Sequence, residues 1–217
     1  RQGYDFVSDD SDPMDDHSHG THVAGIIGAV GNNHIGVAGV CWQVSLMALK
    51  AFDENGDGLL ADVIEAIHYA IQNGAQVLNA SWSSTERSLA LEEAVAEARL
   101  AGVVFVAAAG NDRTSSAAYP AAYQGVVAVA ATNAKDQRAA FSNYGPLTAL
   151  AAPGDIIFST IPDNDYGYRS GTSMATPCVA GVAALVRTRH PEFTSTEVET
   201  ILRNAVEQGW DIETEEG

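Results

Sequence analysis

Three short segments of this 217-residue chain join a reactive side chain to a glycine-marked turn and an apolar run. In the first, His19-Gly20-Thr21-His22-Val23-Ala24-Gly25, the spacing predicts a helix with His19 at its mouth. Gly20 is expected to make the tight turn into it, and His22 lies one turn on. An imidazole so placed can take and return a proton. Two histidines three apart also suit a metal on a helix face, yet no HExxH pattern or cysteine pair completes a zinc set. The plainer alternative for both is a structural histidine. The second segment, Gly171-Thr172-Ser173-Met174-Ala175-Thr176-Pro177, sets a serine between a glycine turn and a helix of small residues. Free N–H groups and the positive end of that helix would face whatever the hydroxyl attacks; the ordinary alternative is a helix cap. The third, Ala107-Ala108-Ala109-Gly110-Asn111, is a buried strand running into glycine and an amide. Asparagine there is usually a turn residue, but it can also donate to a developing oxyanion without carrying charge.

The elements that must position these groups alternate between two periods. Strands are predicted at residues 44–52, 77–80, 103–109 and 126–131, with an antiparallel or edge pair at 155–161. Helices are predicted at 60–72, 88–100, 172–189 and 194–208, the first stopped by Gly74. This order argues for an α/β fold of three layers, a mainly parallel central sheet with helices on both faces. Such sheets carry their chemistry beyond the carboxyl ends of the strands. There is no internal repeat, GxGxxG or P-loop, and one domain is expected over residues 1–217.

Composition narrows the function classes. Apolar residues make up 46% of the chain, too many for a disordered protein. Eleven basic against twenty-eight acidic residues leave a net charge of −17, so nucleic acid would be repelled. No apolar run reaches the ~20 residues of a membrane-spanning helix. Cys41 and Cys178 make no disulfide framework and read as free thiols in apolar surroundings. Half of the acids fall in residues 1–16 and 192–217; the latter stretch reads as a solvated helix face with a frayed tail.

Taken together, HGTHVAG, AAAGN and GTSMATP resemble the subtilisin-like serine proteases, and the likeness continues through AAFSNYGP, LAAPG and the final helices. It implies a serine endopeptidase with His19 as general base, Ser173 as nucleophile, and Asn111 with the Ser173 N–H as oxyanion hole. The family's triad also needs an aspartate at the end of a strand upstream of the histidine. The matching stretch would fall before Arg1, and the chain stops before the family's closing segment. Residues 1–217 alone are therefore expected to be severely impaired in proteolysis. Substrate polypeptide is expected as an extended strand between Ser81-Trp82-Ser83 and Gly56-Asp57-Gly58.

The resemblance places Leu60, Val63 and Trp82 around the pocket for the fourth residue before the cut, and Ala108, Gly110 and Ala118 around the primary pocket. Ser83-Ser84 departs from the family's usual Gly-Gly, which leaves primary specificity open. Structural Ca2+ is expected at Asp5, Asp10 and Asp12, as in the thermitase branch, with Ser8 replacing an acid. A second calcium loop would use the Asn33 side chain and the Ile35 and Val37 carbonyls. The loop at residues 53–58 resembles an EF-hand but lacks its closing glutamate. The family's habit also implies secretion and a pro-segment in the precursor. The alternative is a non-catalytic relative serving as a binding or scaffold domain. A generic α/β-hydrolase is excluded by the missing GxSxG and the order His before Ser.

Overall fold

Every residue of Val104–Ala108 is buried, and its side chains divide between two faces with period two, as a strand covered on both sides requires. This is β4 of the computed structural model, which describes residues 3–206. Phe105 and Ala107 face helices α2 (Leu60–Gln72) and α3 (Leu89–Leu100). Val104 and Val106 face α4 (Thr172–Arg189) and α5 (Ser195–Asn204). Full burial of a side chain such as Phe105 stabilises by about 1.5–3 kcal/mol. The remaining elements are β1 (Tyr4–Asp5), α1 (His19–Gly28), β2 (Leu49–Lys50), β3 (Val77–Ala80), β5 (Val127–Thr132), β6 (Leu150–Pro153), β7 (Ile157–Ile161) and β8 (Asp165–Arg169).

Strands β3-β4-β5-β6 form a four-stranded parallel sheet in that order, with Asn79 opposite Val106 and Ala107 opposite Ala128. Strands β1 and β2 form a separate parallel pair, and β7 with β8 an antiparallel hairpin. The two parallel pieces share one apolar cluster: Leu49, Ala51 and Phe52 pack into the same core as Leu78, Ala80 and Trp82. Among the described residues no ladder joins β2 to β3. Asn79 on β3 also keeps a buried side-chain oxygen without a partner.

The three-layer α/β expectation holds. Several bounds differ, for physical reasons. Residues 44–52 yield only Leu49–Lys50 as strand, because their one partner, β1, is two residues long. Strand β6 is a four-residue LAAP that ends on Pro153, and β8 reads DYGYR, with no apolar run in sequence. The turn into α1 is made at Ser18, at φ 75°, and not at Gly20, which lies inside the helix with room for a Cβ. The cap is Asp15: one carboxylate oxygen accepts the N–H groups of His17 and Ser18, the other the N–H and hydroxyl of Thr21. Helix α5 begins after Thr194, in a capping box with Glu197, and ends at Asn204. The expected extension to Gln208 and the acidic tail lie partly outside the described residues. Both cysteines are free, Cys41 buried and Cys178 half-buried.

Candidate active site

Helix α4 starts at Thr172, and Pro177 sits inside it. A proline has no N–H, so the Ser173 carbonyl loses its helical partner four residues on. The Ser81 hydroxyl fills that gap, donating to the Ser173 carbonyl at 2.8 Å, while Ser173 Oγ donates to the Ser81 carbonyl at 3.0 Å. This reciprocal pair fixes the carboxyl end of β3 against the first turn of α4. It places Ser173, half-buried, beside the segment expected to bind substrate.

Asn111 reaches the same place from β4. Gly110, at φ 105°, turns the chain out of the sheet, and a Cβ there would collide with the Asn143 amide. Asn143 holds the turn: its Oδ1 accepts from the N–H groups of Asp112 and Thr114, and its Nδ2 donates to the Ala109 carbonyl. Asn111 Oδ1 accepts from the Thr172 N–H at 2.9 Å and the Thr172 hydroxyl at 3.1 Å. Those donors fix the amide's orientation, so Nδ2 is the edge left to face outward. A Cβ built on Gly171 would lie 3.7 Å from Asn111 Nδ2 and 3.6 Å from the Ser173 N. Two neutral donors, one of them at a helix N-terminus, thus border a single point beside the serine.

His19 opens α1, which packs on α4 through Val23, Ile26 and Met174. The close approach of α1 to β7 has a cause in Gly25: a Cβ there would strike Ser159 and Thr160, whose hydroxyls bond the His22 and Thr21 carbonyls. His22 is fully buried, and its Nε2 lies 3.1 Å from both the Ile157 and Gly167 carbonyls. Its Nε2 donates to a carbonyl, its Nδ1 is buried without a partner, and among the described residues no further His, Cys, Asp or Glu side chains join it to make a metal-holding group of three. The His19 ring makes no hydrogen bond among the described residues, and none joins it to Ser173. Burial, then the charge of Arg169, then His17 push its pKa down to about 4, against the opposing pull of Asp15. Arg169 itself bonds the Ser18 hydroxyl.

The groove residues divide. Ser84 bridges Tyr119 by two backbone bonds of 2.8 Å, tying the Ser81–Ser83 edge to the loop that carries Ala118. Gly110 and Ala118 come together, the latter's Cβ 3.5 Å from a Cβ built on the former, and Ala108 is buried in β4 behind them. Trp82 packs on Phe52 with ring centroids 5.9 Å apart, and Gly58 presses on Phe52 as well. Gly56 lies against His17, and Asp57 donates its N–H to Asp53 Oδ1, so the loop is an Asx-type turn and not a metal loop. Leu60 is exposed. Val63 is buried, 6% exposed, and packs in the core beside Trp82.

In the acidic opening loop Asp5 is engaged within the chain at both oxygens. Asp5 Oδ1 accepts the Val7 and Ser8 N–H groups, and its Oδ2 takes the Lys50 ammonium at 2.9 Å. Burial raises the Asp5 carboxyl, but Lys50 and the two N–H groups outweigh it and hold its pKa below the usual value. Lys50 also pairs with Asp16 at 3.0 Å, and Asp10 Oδ1 accepts the Asp12 N–H. Lys50 thus neutralises Asp5 and Asp16, while no ion pair reaches Asp10 or Asp12 among the described residues. Asn33 Oδ1 is likewise turned to the Ile35 N–H, at 3.0 Å. Among the described residues no group of three His, Cys, Asp or Glu side chains is placed to hold a metal. Lys50→Met is expected to cost about 3 kcal/mol, since it strands a buried carboxylate. Calorimetry in the presence of chelator checks this, and an unaltered melting temperature would contradict it.

Comparison with known proteins gives the family. The subtilase family profile covers residues 1–216, and the chain belongs to that family. It is 48% identical over 196 residues to a thermostable alkaline protease of Halalkalibacterium halodurans, covering 90% of this chain and 54% of that one. It is 45% identical to thermitase of Thermoactinomyces vulgaris, over 85% of this chain and 66% of the relative. A crystal structure of a cold adapted subtilisin-like serine proteinase superposes with a TM-score of 0.88 at 38% identity, covering 94% of this chain and 73% of that one. The chain spans about half the length of the first two curated relatives it matches.

Sequence reasoning missed four contributors. Thr172 orients Asn111 and accepts the Gly110 N–H; Asn143 clamps the Asn111 turn; Asp15 caps α1; Arg169 lies beside His19. Thr172 and Asn143 sat within quoted motifs, so they were findable. Asp15 and Arg169 carried no local signal.

Proposed function

We propose that this chain forms the nucleophile-bearing body of a serine endopeptidase. The supporting observation is the meeting of Ser173, Asn111 Nδ2 and the Ser173 N–H at one point beside the Ser81 edge. In this reading a polypeptide lies extended along Ser81-Trp82-Ser83, with Gly56-Asp57-Gly58 opposite. Ser173 Oγ leaves its bond to the Ser81 carbonyl and attacks the substrate carbonyl as His19 takes its proton. Asn111 Nδ2 and the Ser173 N–H donate to the oxyanion. His19 then returns the proton to the departing amine, and water repeats the sequence on the acyl-enzyme. Asn111→Leu keeps the volume and removes the donor. It is expected to lower kcat by about 10²–10³ with KM little changed, a magnitude known from subtilisin itself. Steady-state kinetics on a peptide amide decide it, and an unaltered kcat would remove Asn111 from the mechanism.

The triad's acid belongs to the same proposal. The free edges of β2 and β3 flank one apolar cluster without pairing, a gap suited to one more parallel strand. In this reading its carboxyl end emerges beside His19, whose ring bonds no carboxylate among the described residues. A non-catalytic role is the second reading, favoured by Ser173 Oγ resting on a carbonyl instead of on an imidazole. Covalent labelling by a fluorophosphonate separates the two, because it requires an activated hydroxyl. Calcium remains in the proposal at Asp5, Asp10 and Asp12 and at the exposed Asn33 loop with the Ile35 and Val37 carbonyls, and no catalytic step uses it. Secretion, a pro-segment and exclusion of nucleic acid are carried over from the family and the −17 charge. Among the described residues no helix is long and apolar enough to cross a membrane.

A further inference from the structure

Arg169 ends β8, four residues before Ser173, and its guanidinium bonds the hydroxyl of Ser18, the neighbour of His19. The group is half-buried, lies close enough to His19 and His22 for its charge to act on both, and has no carboxylate partner among the described residues. The side of the cut it faces follows from the proposed chemistry, on which this inference rests. The acyl half of a substrate runs along Ser81–Ser83, and its oxyanion points at Asn111. The amine that leaves must touch His19, which protonates it, so the first residue after the cut passes over the start of α1. That is where the unpaired guanidinium is tethered. Asp15, whose charge also acts on His19, has both oxygens engaged in capping α1 and forms no ion pair with Arg169. A guanidinium held at one edge keeps its other N–H groups for a carboxylate.

We propose that Arg169 is a specificity-determining residue that selects an acidic side chain at the first position after the cleaved bond. A charged hydrogen bond in a half-exposed site is expected to favour Glu over Lys there by about tenfold in kcat/KM. The preference should shrink with added salt. The test uses quenched peptides identical except for Ala, Glu or Lys at that position, with the intact protein and its Arg169→Gln and Arg169→Glu variants. The Glu/Lys ratio is expected to collapse to about one in Arg169→Gln and to invert in Arg169→Glu. Ratios within each variant cancel any general loss of activity.

A second measurement needs no turnover: polarisation binding of labelled peptides beginning with Glu or Lys to Ser173→Ala, with and without Arg169→Glu. A ranking that Arg169→Glu leaves unchanged in both measurements overturns the inference. Absence of Ser173-dependent turnover with the Ala peptide, by contrast, defeats the proposed enzymatic function, while the binding ranking still reports on Arg169.

Discussion

Ser173→Ala is expected to abolish amide hydrolysis and fluorophosphonate labelling together, with the fold intact. With a complete triad the loss in kcat is about 10⁶, the size known for removing the nucleophile of subtilisin. The stability cost is small by comparison. Only the bond from Ser173 Oγ to the Ser81 carbonyl disappears, worth about 0.5–1.5 kcal/mol, while the Ser81 hydroxyl still satisfies the Ser173 carbonyl. Thermal melting should therefore shift little where activity vanishes. Retained turnover in the variant would place the nucleophile elsewhere and end the proposal.

The second large effect concerns the acid. A protein carrying the additional strand with its terminal aspartate is expected to exceed the corresponding asparagine variant by about 10⁴ in kcat. The physical cause is legible at His19. Burial first, then the positive charge of Arg169, hold its pKa at about 4, so the imidazolium formed during attack is poorly stabilised. A carboxylate on the ring's far nitrogen raises that pKa and offsets the burial. The acid limb of kcat/KM should accordingly sit near pH 4 without the carboxylate and move upward with it. The same shift has a sign for stability. A histidine depressed on folding contributes stability that is complete above its unfolded value of about 6.5. That contribution is lost as pH falls through about 4. Equal rates and equal acid limbs in the two proteins would mean that another group orients His19.

How much of this was readable in sequence varies with the kind of signal. Leu60–Gln72 and Val77–Ala80 were placed to the residue, because apolar period and flanking turns agreed. Strand β8 was invisible, since Asp165–Arg169 alternates polar and aromatic residues around a glycine and pairs only with β7. Ser173 and Asn111 were legible because each sits in a run of small residues that few other constraints would produce. Their supports were less so. The hydroxyl of Ser81 reaches a carbonyl ninety-two positions away, and no local pattern announces that Pro177 has freed it. The ion pair of the opening loop was hidden for a related reason: Lys50 lies forty-five residues from Asp5, and only the fold brings its ammonium to the carboxylate.

The unpaired margins of β2 and β3 also bear on how molecules of this chain meet each other. A strand margin with free N–H and C=O groups is a template for any extended segment, including one from a second molecule. Near neutrality the charge of −17 keeps copies apart. That repulsion fades as the solution approaches pH 4.4, where the net charge reaches zero. Mild acid is therefore the condition in which intermolecular strand addition, and with it precipitation, meets least electrostatic resistance.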